Sequence, residues 1–194
     1  MRVSLRDLHA RSMLACKTPS VRYANKTRLA LEMRSHDQLV RAHPDPRVQL
    51  RAVDQDDPVI VRIFHEVGDA HLWSAESWAS YGSAPAMRHW LIYIDGEPAG
   101  LLTLHAEPAG EIEIVSFGLV PDRQGHGFGG PALTLAVDLA WTAFGGEVSR
   151  VWLHTNNFDH PSALPNYLKR GFRIVEKVVL RVSVPDNWGP SSSR

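Results

Sequence analysis

Hydrophobic and polar positions along this chain change period several times, and each change marks an element. Residues 29–34 (Leu-Ala-Leu-Glu-Met-Arg) suit a short first strand, and His43-Pro-Asp-Pro46 breaks the chain after it. Val48, Leu50, Ala52 and Val53 then predict a strand with one apolar face. Pro58 opens a helix that carries Val59, Ile63, Phe64 and Val67 on one side, and Gly68 stops it. A second helix is expected from Ser74 to Tyr81, in a cluster that includes Trp73 and Trp78.

The middle of the chain reads as β. Residues 89–94 end at Asp95-Gly96, a strong hairpin signal, and 99–105 make the returning strand. Pro108-Ala-Gly110 is a further turn before a third strand at 111–120. The period then becomes helical: Leu133, Val137, Ala140, Trp141 and Phe144 recur at the right spacing, and Gly145-Gly146 ends the run. A buried-looking strand at 150–154, a short helix between Pro161 and Gly171, and a long β segment at 172–184 follow. From residue 48 the order is β-α-α-β-β-β-α-β-α-β, without an internal repeat.

The chain has 194 residues, 44% of them hydrophobic and 22% charged, enough for one domain with a sizeable core. Lys plus Arg equals Asp plus Glu, so the net charge is zero, which argues against a dedicated nucleic-acid binder. The balance is local, though: residues 1–28 sum to +6, residues 45–122 to −9 and residues 123–194 to +3. The expected organisation is a basic N-terminal extension over 1–28, a single domain over 29–184 and a loose tail over 185–194. The lone cysteine, Cys16, excludes an internal disulfide and a Cys-based zinc site. No uncharged apolar run has the length to span a bilayer, and the N-terminus has no continuous apolar h-region. A cytoplasmic protein without a membrane partner is therefore expected, and a homodimer is compatible with the chain.

The stretch Val120-Pro-Asp-Arg-Gln124-Gly-His-Gly127-Phe-Gly129-Gly130 lies between a strand and a strong helix. Amides in the first turn of a helix have no intrahelical partner, and the dipole adds partial positive charge, so such a turn is a ready anion site. Pro131 sits in the first turn, where its missing N–H breaks no helical bond. No Gly-Lys-Ser/Thr follows, and the glycines do not fit the dinucleotide pattern with a βαβ unit around them.

Gln124-x-x-Gly127-x-Gly129, preceded by Val120-Pro121, resembles the coenzyme A pyrophosphate loop of GNAT-type N-acetyltransferases. Downstream, Asp159-His-Pro-Ser-Ala163-Leu-Pro-Asn-Tyr167-Leu-Lys169-Arg-Gly171-Phe172 resembles the last helix of that fold, A-x-x-x-Y-x-K-x-G-F. The resemblance covers about residues 45–184, the size of one domain. The Asp-His-Pro-x-Ala-Leu-Pro run is also similar to one bacterial subgroup of these enzymes. The resemblance implies an α/β (α+β) fold, with a mixed, mostly antiparallel twisted sheet flanked by helices. It implies transfer of an acetyl group from acetyl-CoA to a primary amine of a small molecule or peptide, by direct attack and without a metal.

By the same resemblance, Gly125, His126, Gly127, Phe128, Gly129 and Gly130 surround the pyrophosphate beside Gln124. The backbone of Phe117, Gly118 and Leu119 pairs with the pantetheine arm, and the Leu119 amide polarises the acetyl carbonyl. Tyr167 stands where many of these enzymes keep a tyrosine near the sulfur, and its phenol can protonate a thiolate. Glu113 matches a catalytic glutamate on the preceding strand. Strand alternation puts Glu111, Glu113 and Val115 on one face unless a bulge intervenes. His154 is an alternative base. His160 stands where the family usually has Asn; its side chain is a candidate coenzyme contact, with Asn156 and Asn157 as substitutes.

The acceptor wall is expected between the first strands, where His65, Glu66, Asp69, His71, Trp73, Glu76 and Trp78 combine acids with aromatics suited to a cationic amine. His65 and His71 lack the spacing of a zinc-binding H-E-x-x-H. Two rival readings stay open at this point: a non-catalytic acyl-CoA-binding sensor on the same fold, and a nucleic-acid-linked protein using the basic N-terminus.

Overall fold

The computed structural model describes residues 21–67 and 86–185. Its elements, in chain order, are β1 (Val21–Met33), β2 (Val48–Val53), α1 (Pro58–Val67), β3 (Met87–Ile94), β4 (Glu97–Glu107), β5 (Glu111–Leu119), α2 (Gly129–Thr142), β6 (Arg150–Asn156), α3 (Ala163–Lys169) and β7 (Arg173–Pro185). The strands form one seven-stranded sheet in the order β2-β3-β4-β5-β6-β1-β7. Every neighbouring pair is antiparallel except β5 with β6, which is parallel. This is the mixed, mostly antiparallel sheet that the resemblance implies.

Alternation along the strands builds two layers of core. Leu31, Met33, Leu102, Leu104, Ile112, Ile114, Val151 and Leu153 bury one face against Leu133, Ala136, Val137 and Ala140 of α2 and Tyr167 of α3. Leu91 and Leu101 bury the other face against Ile60 and Ile63 of α1. The approach of α1 depends on one glycine: a Cβ on Gly118 would stand 2.2 Å from Val67 Cγ1.

Two features of β5 position the site. The β4–β5 pairing passes from Thr103–Ser116 to Leu104–Ile114, so Val115 is an extra residue on β5, a bulge. Glu111 and Glu113 therefore share a face, but the bulge breaks the alternation that would have placed Val115 with them. Beyond it, β5 and β6 part. They pair only from Glu111–Arg150 to Ile114–Leu153, although β5 runs on to Leu119 and β6 to Asn156. A wedge-shaped gap opens there in the middle of the sheet.

The first strand is longer than the apolar pattern suggests. It starts at Val21, and residues 21–28, grouped with the basic extension on charge, pair with β7, with 21–27 forming a ribbon that runs past the end of β6. Arg22 and Tyr23 on that ribbon are exposed, so its sequence carries little of the one-sided apolar pattern by which a half-buried strand is recognised. The helix expected over 74–81, most of the expected acceptor wall, Cys16 and the 186–194 tail lie outside the described residues.

Candidate active site

Residues on β5, β6, α2 and α3 converge on the gap. The Val120 amide donates to the Ala99 carbonyl at 2.9 Å. Successive residues of an antiparallel strand direct their backbone groups to opposite edges, so the Leu119 N–H and C=O point away from β4, toward the gap. The side-chain amide of Gln124 donates to that Leu119 carbonyl at 2.8 Å. The Leu119 amide is thereby a donor on the free edge of β5, the geometry a polarising contact needs.

The glycine loop runs from this point into α2. Gly125 and Gly127 have φ of +75° and +86°, and a Cβ at either would meet nothing within 4 Å. The loop surface is open, and its left-handed backbone is natural to glycine. Helical bonding begins when the Ala132 amide donates to the Phe128 carbonyl, so the Gly129 and Gly130 amides precede it at the positive end of the dipole. Asn166 of α3 donates to the Gly129 carbonyl at 2.9 Å and fixes the start of α2. A concavity of about 410 Å³ beside the loop is lined by Arg47, Asp95, Asp122, Arg123, His126 and Phe128. The Phe128 ring is buried in the core with Arg47 over its face at 4.7 Å, so that residue can offer an anion only its backbone. His126 is exposed.

Tyr167 and Glu113 approach the gap from opposite sides of the sheet. Tyr167 is buried on the α2–α3 side, edge-on to Phe117 at 6.5 Å and to Phe172 at 6.1 Å. Burial, with Asp159 adding to it, pushes the phenol well above its ordinary range, so it holds its proton. Glu113 sits between Ile112 and Ile114, whose side chains are in the α2–α3 core, so its carboxyl faces the α1 side. The strand register sets it across from His105 of β4 and Trp152 of β6.

The electrostatics of Glu113 differ from those of its neighbours. Glu111 is paired with Arg150 at 3.0 Å, and Arg150 also reaches Glu32 at 2.7 Å. Among the described residues, no Lys or Arg pairs with Glu113. Burial pushes its carboxyl up to about 7, and the nearby Glu107 carboxylate adds to the effect. His154 Nδ1 lies 3.7 Å from Glu113 Oε1, so the two alternative bases are neighbours. The His154 imidazole is pushed down from its ordinary value by burial and by Arg28 and Arg150, against Glu176.

His105, Glu107 and Glu113 also place one donor atom each within 4.8 Å of one another, with His105 Nδ1 3.8 Å from Glu107 Oε1. Ligand atoms around a tetrahedral zinc stand about 3.3 Å apart. The looser grouping reads as an electrostatic cluster, and no metal is assigned to it.

The remaining expectations resolve individually. His160 Nδ1 accepts from the Ser162 amide at 3.2 Å, which leaves Nε2 as its donor. Asn156 and Asn157 do not stand free to replace the family's asparagine. Asn156 donates to Asp159 at 2.7 Å, and Asn157 accepts from the Thr27 amide at 2.7 Å. Of the expected acceptor wall, only His65 and Glu66 are described, and Glu66 pairs with Arg62 at 2.9 Å. Sequence reasoning missed His105 and Glu107, although the short 108–110 turn carries the signal: closing the hairpin there sets Glu107 opposite Glu111 and His105 opposite Glu113.

The model of the acetyltransferase (GNAT) family matches residues 49–172. No curated protein matches the chain. Among solved structures, a GCN5-related N-acetyltransferase from Kribbella flavida superposes with a TM-score of 0.56 at 19% identity, covering 87% of this chain and 61% of that one. A GCN5-related N-acetyltransferase from Sphaerobacter thermophilus gives a TM-score of 0.66 at 16% identity, with coverage of 84% and 53%. A dodecameric spermidine N-acetyltransferase from Vibrio cholerae gives 0.54 at 17% identity, with coverage of 73% and 95%. The chain thus spans a little over half the length of the first two, and at these identities the likeness shows the fold.

Proposed function

The chain belongs to the acetyltransferase (GNAT) family, and from that premise we propose that it moves an acetyl group from acetyl-CoA to a primary amine of a small molecule or peptide. The reading rests above all on the placement of Glu113 and Tyr167 on opposite sides of the gap between β5 and β6. Direct attack needs this arrangement: the amine arrives and is deprotonated on one side of the thioester, and the thiolate leaves on the other. In this reading the pyrophosphate lies on the Gly125–Gly130 amides. The pantetheine arm extends β5 along Phe117–Leu119 like an added strand, and the Leu119 amide polarises the acetyl carbonyl.

Glu113 is the base. A carboxyl poised near neutrality is ionised in part at working pH and is basic enough to take a proton from an ammonium, freeing the amine that attacks. Tyr167 keeps its proton until the sulfur needs it. The carboxylates Glu107 and Glu113 on the acceptor side favour a cationic amine, in keeping with the −9 charge of residues 45–122. Ile174, Val175, Val179 and Leu180 are exposed on the edge strand β7, which supports a homodimer built along that edge. The reading is tested by thiol release from acetyl-CoA across amino acids, polyamines, aminoglycosides and peptides. Amine-dependent release supports it, and coenzyme binding without release across the panel counts against it.

A further inference from the structure

We propose that Glu113 and His154 act together as a proton relay, in which Glu113 takes protons from the acceptor and His154 passes them to solvent. The inference rests on the transferase reading above and changes its chemistry: the two residues are sequential carriers, not rival bases. The geometry points to this. His154 is the first β6 residue past the last β5–β6 pair, so it stands at the mouth of the gap, one position beyond Leu153. Its Nδ1 is 3.7 Å from Glu113 Oε1, slightly beyond a hydrogen bond, a looseness common in catalytic contacts before substrate closes them. The Glu113 side chain is only 20% exposed, whereas that of His154 is 34% exposed. The carboxyl that meets the substrate is the poorer exit to water, and the imidazole beside it is the better one. An imidazole suits the task because it accepts at one nitrogen and releases from the other.

Charged and aromatic groups surround both members of the pair. Glu113 is faced by His105 and Glu107 from β4 and by Trp152 and His154 from β6, while Glu111 on its own strand is held by Arg150. His154 feels Arg28 from β1, Glu176 from β7 and Arg150 at the start of its own strand, and Trp152 lies edge-on at 5.0 Å. Burial and the acidic neighbour raise the carboxyl to about 7, while burial and the arginines lower the imidazole from its ordinary value.

The protons balance as follows. An acceptor ammonium loses one of its three N–H protons before its nitrogen can attack the acetyl carbon, and a second as the amide forms and the C–S bond breaks. The first passes through Glu113 and His154 to water and is the net proton released. The second leaves as the amide forms and, through the same relay and solvent, replaces the proton that Tyr167 gives to the departing sulfur.

The test is chemical rescue of His154→Ala and His154→Asn, read as amine-dependent thiol release in dilute, non-imidazole buffer. The relay predicts that kcat falls by about tenfold or more while KM for acetyl-CoA stays within about twofold. Added imidazole restores kcat in proportion to its concentration, and leaves the unaltered enzyme unchanged. Turnover at the parent rate in both variants overturns the relay and leaves Glu113 as sole base. So does a loss that imidazole does not restore in a variant with the parent's circular dichroism. Absence of thiol release by the unaltered protein with every amine instead removes the transferase reading, and the relay with it.

Discussion

The side-chain amide of Gln124 donates to the main-chain carbonyl of Leu119 at 2.8 Å, tying the glycine loop to the last residue of β5. In the proposed reading the bond joins the loop that would hold the phosphates to the amide that would face the thioester. Gln124→Ala removes one hydrogen bond of about 1 kcal/mol and frees both ends. The expected result is a roughly fivefold rise in KM for acetyl-CoA with an unshifted pH–rate profile. Steady-state kinetics over a range of pH checks it, and a displaced profile would place Gln124 in the proton chemistry instead.

Gly127→Glu tests the loop itself. A side chain there meets nothing within 4 Å in the free protein, so the fold is expected to survive with about 1 kcal/mol of left-handed strain. The carboxylate projects from the loop that is to receive the pyrophosphate. Calorimetry should show coenzyme A affinity lost, and undiminished affinity would remove the loop from the account.

Tyr167→Phe separates leaving-group protonation from binding. The ring sits among Phe117 and Phe172, where phenylalanine fits without a cavity. We expect kcat to drop about 10²-fold, with coenzyme affinity and melting temperature close to those of the parent. Full turnover in the variant rejects the phenol as the acid.

Much of the frame was legible because its signals are local. Asp95-Gly96 closes a hairpin wherever strands flank it, and Pro58 opens α1 by its own backbone limits. The glycine loop and the Ala163–Phe172 segment carried the family resemblance for the same reason. The Val115 bulge and the juxtaposition of Glu113 with His154 were not legible. The bulge is a shift of register inside the β4–β5 hairpin, Leu104 with Ile114, that no local signal marks, and the juxtaposition depends on the register between strands distant in sequence, Glu113 with Trp152. The ribbon at 21–27 was missed because its residues are mostly exposed or half-buried, with little apolar alternation to read.

Glu113 also makes a prediction about stability. Its pKa rises from 4.5 in the unfolded reference to about 7 in the folded protein. Between those values the folded state binds a proton that the unfolded chain has lost, so stability falls as pH rises through the window. Above it the cost is full, on the order of 3 kcal/mol. Glu113→Gln should therefore melt higher than the parent near pH 8 and about equal to it near pH 4. Denaturant unfolding at both pH values checks the sign, and a variant less stable near pH 8 contradicts the assigned environment.

The most direct measurement of the central claim is the pH dependence of amine-stimulated thiol release from acetyl-CoA by the unaltered protein and by Glu113→Gln. The account predicts kcat/KM rising with pH through an apparent pKa near 7 in the parent, and a variant that binds acetyl-CoA normally but has lost that limb and most of its turnover. A variant with the parent's rate and the parent's pH profile would contradict it.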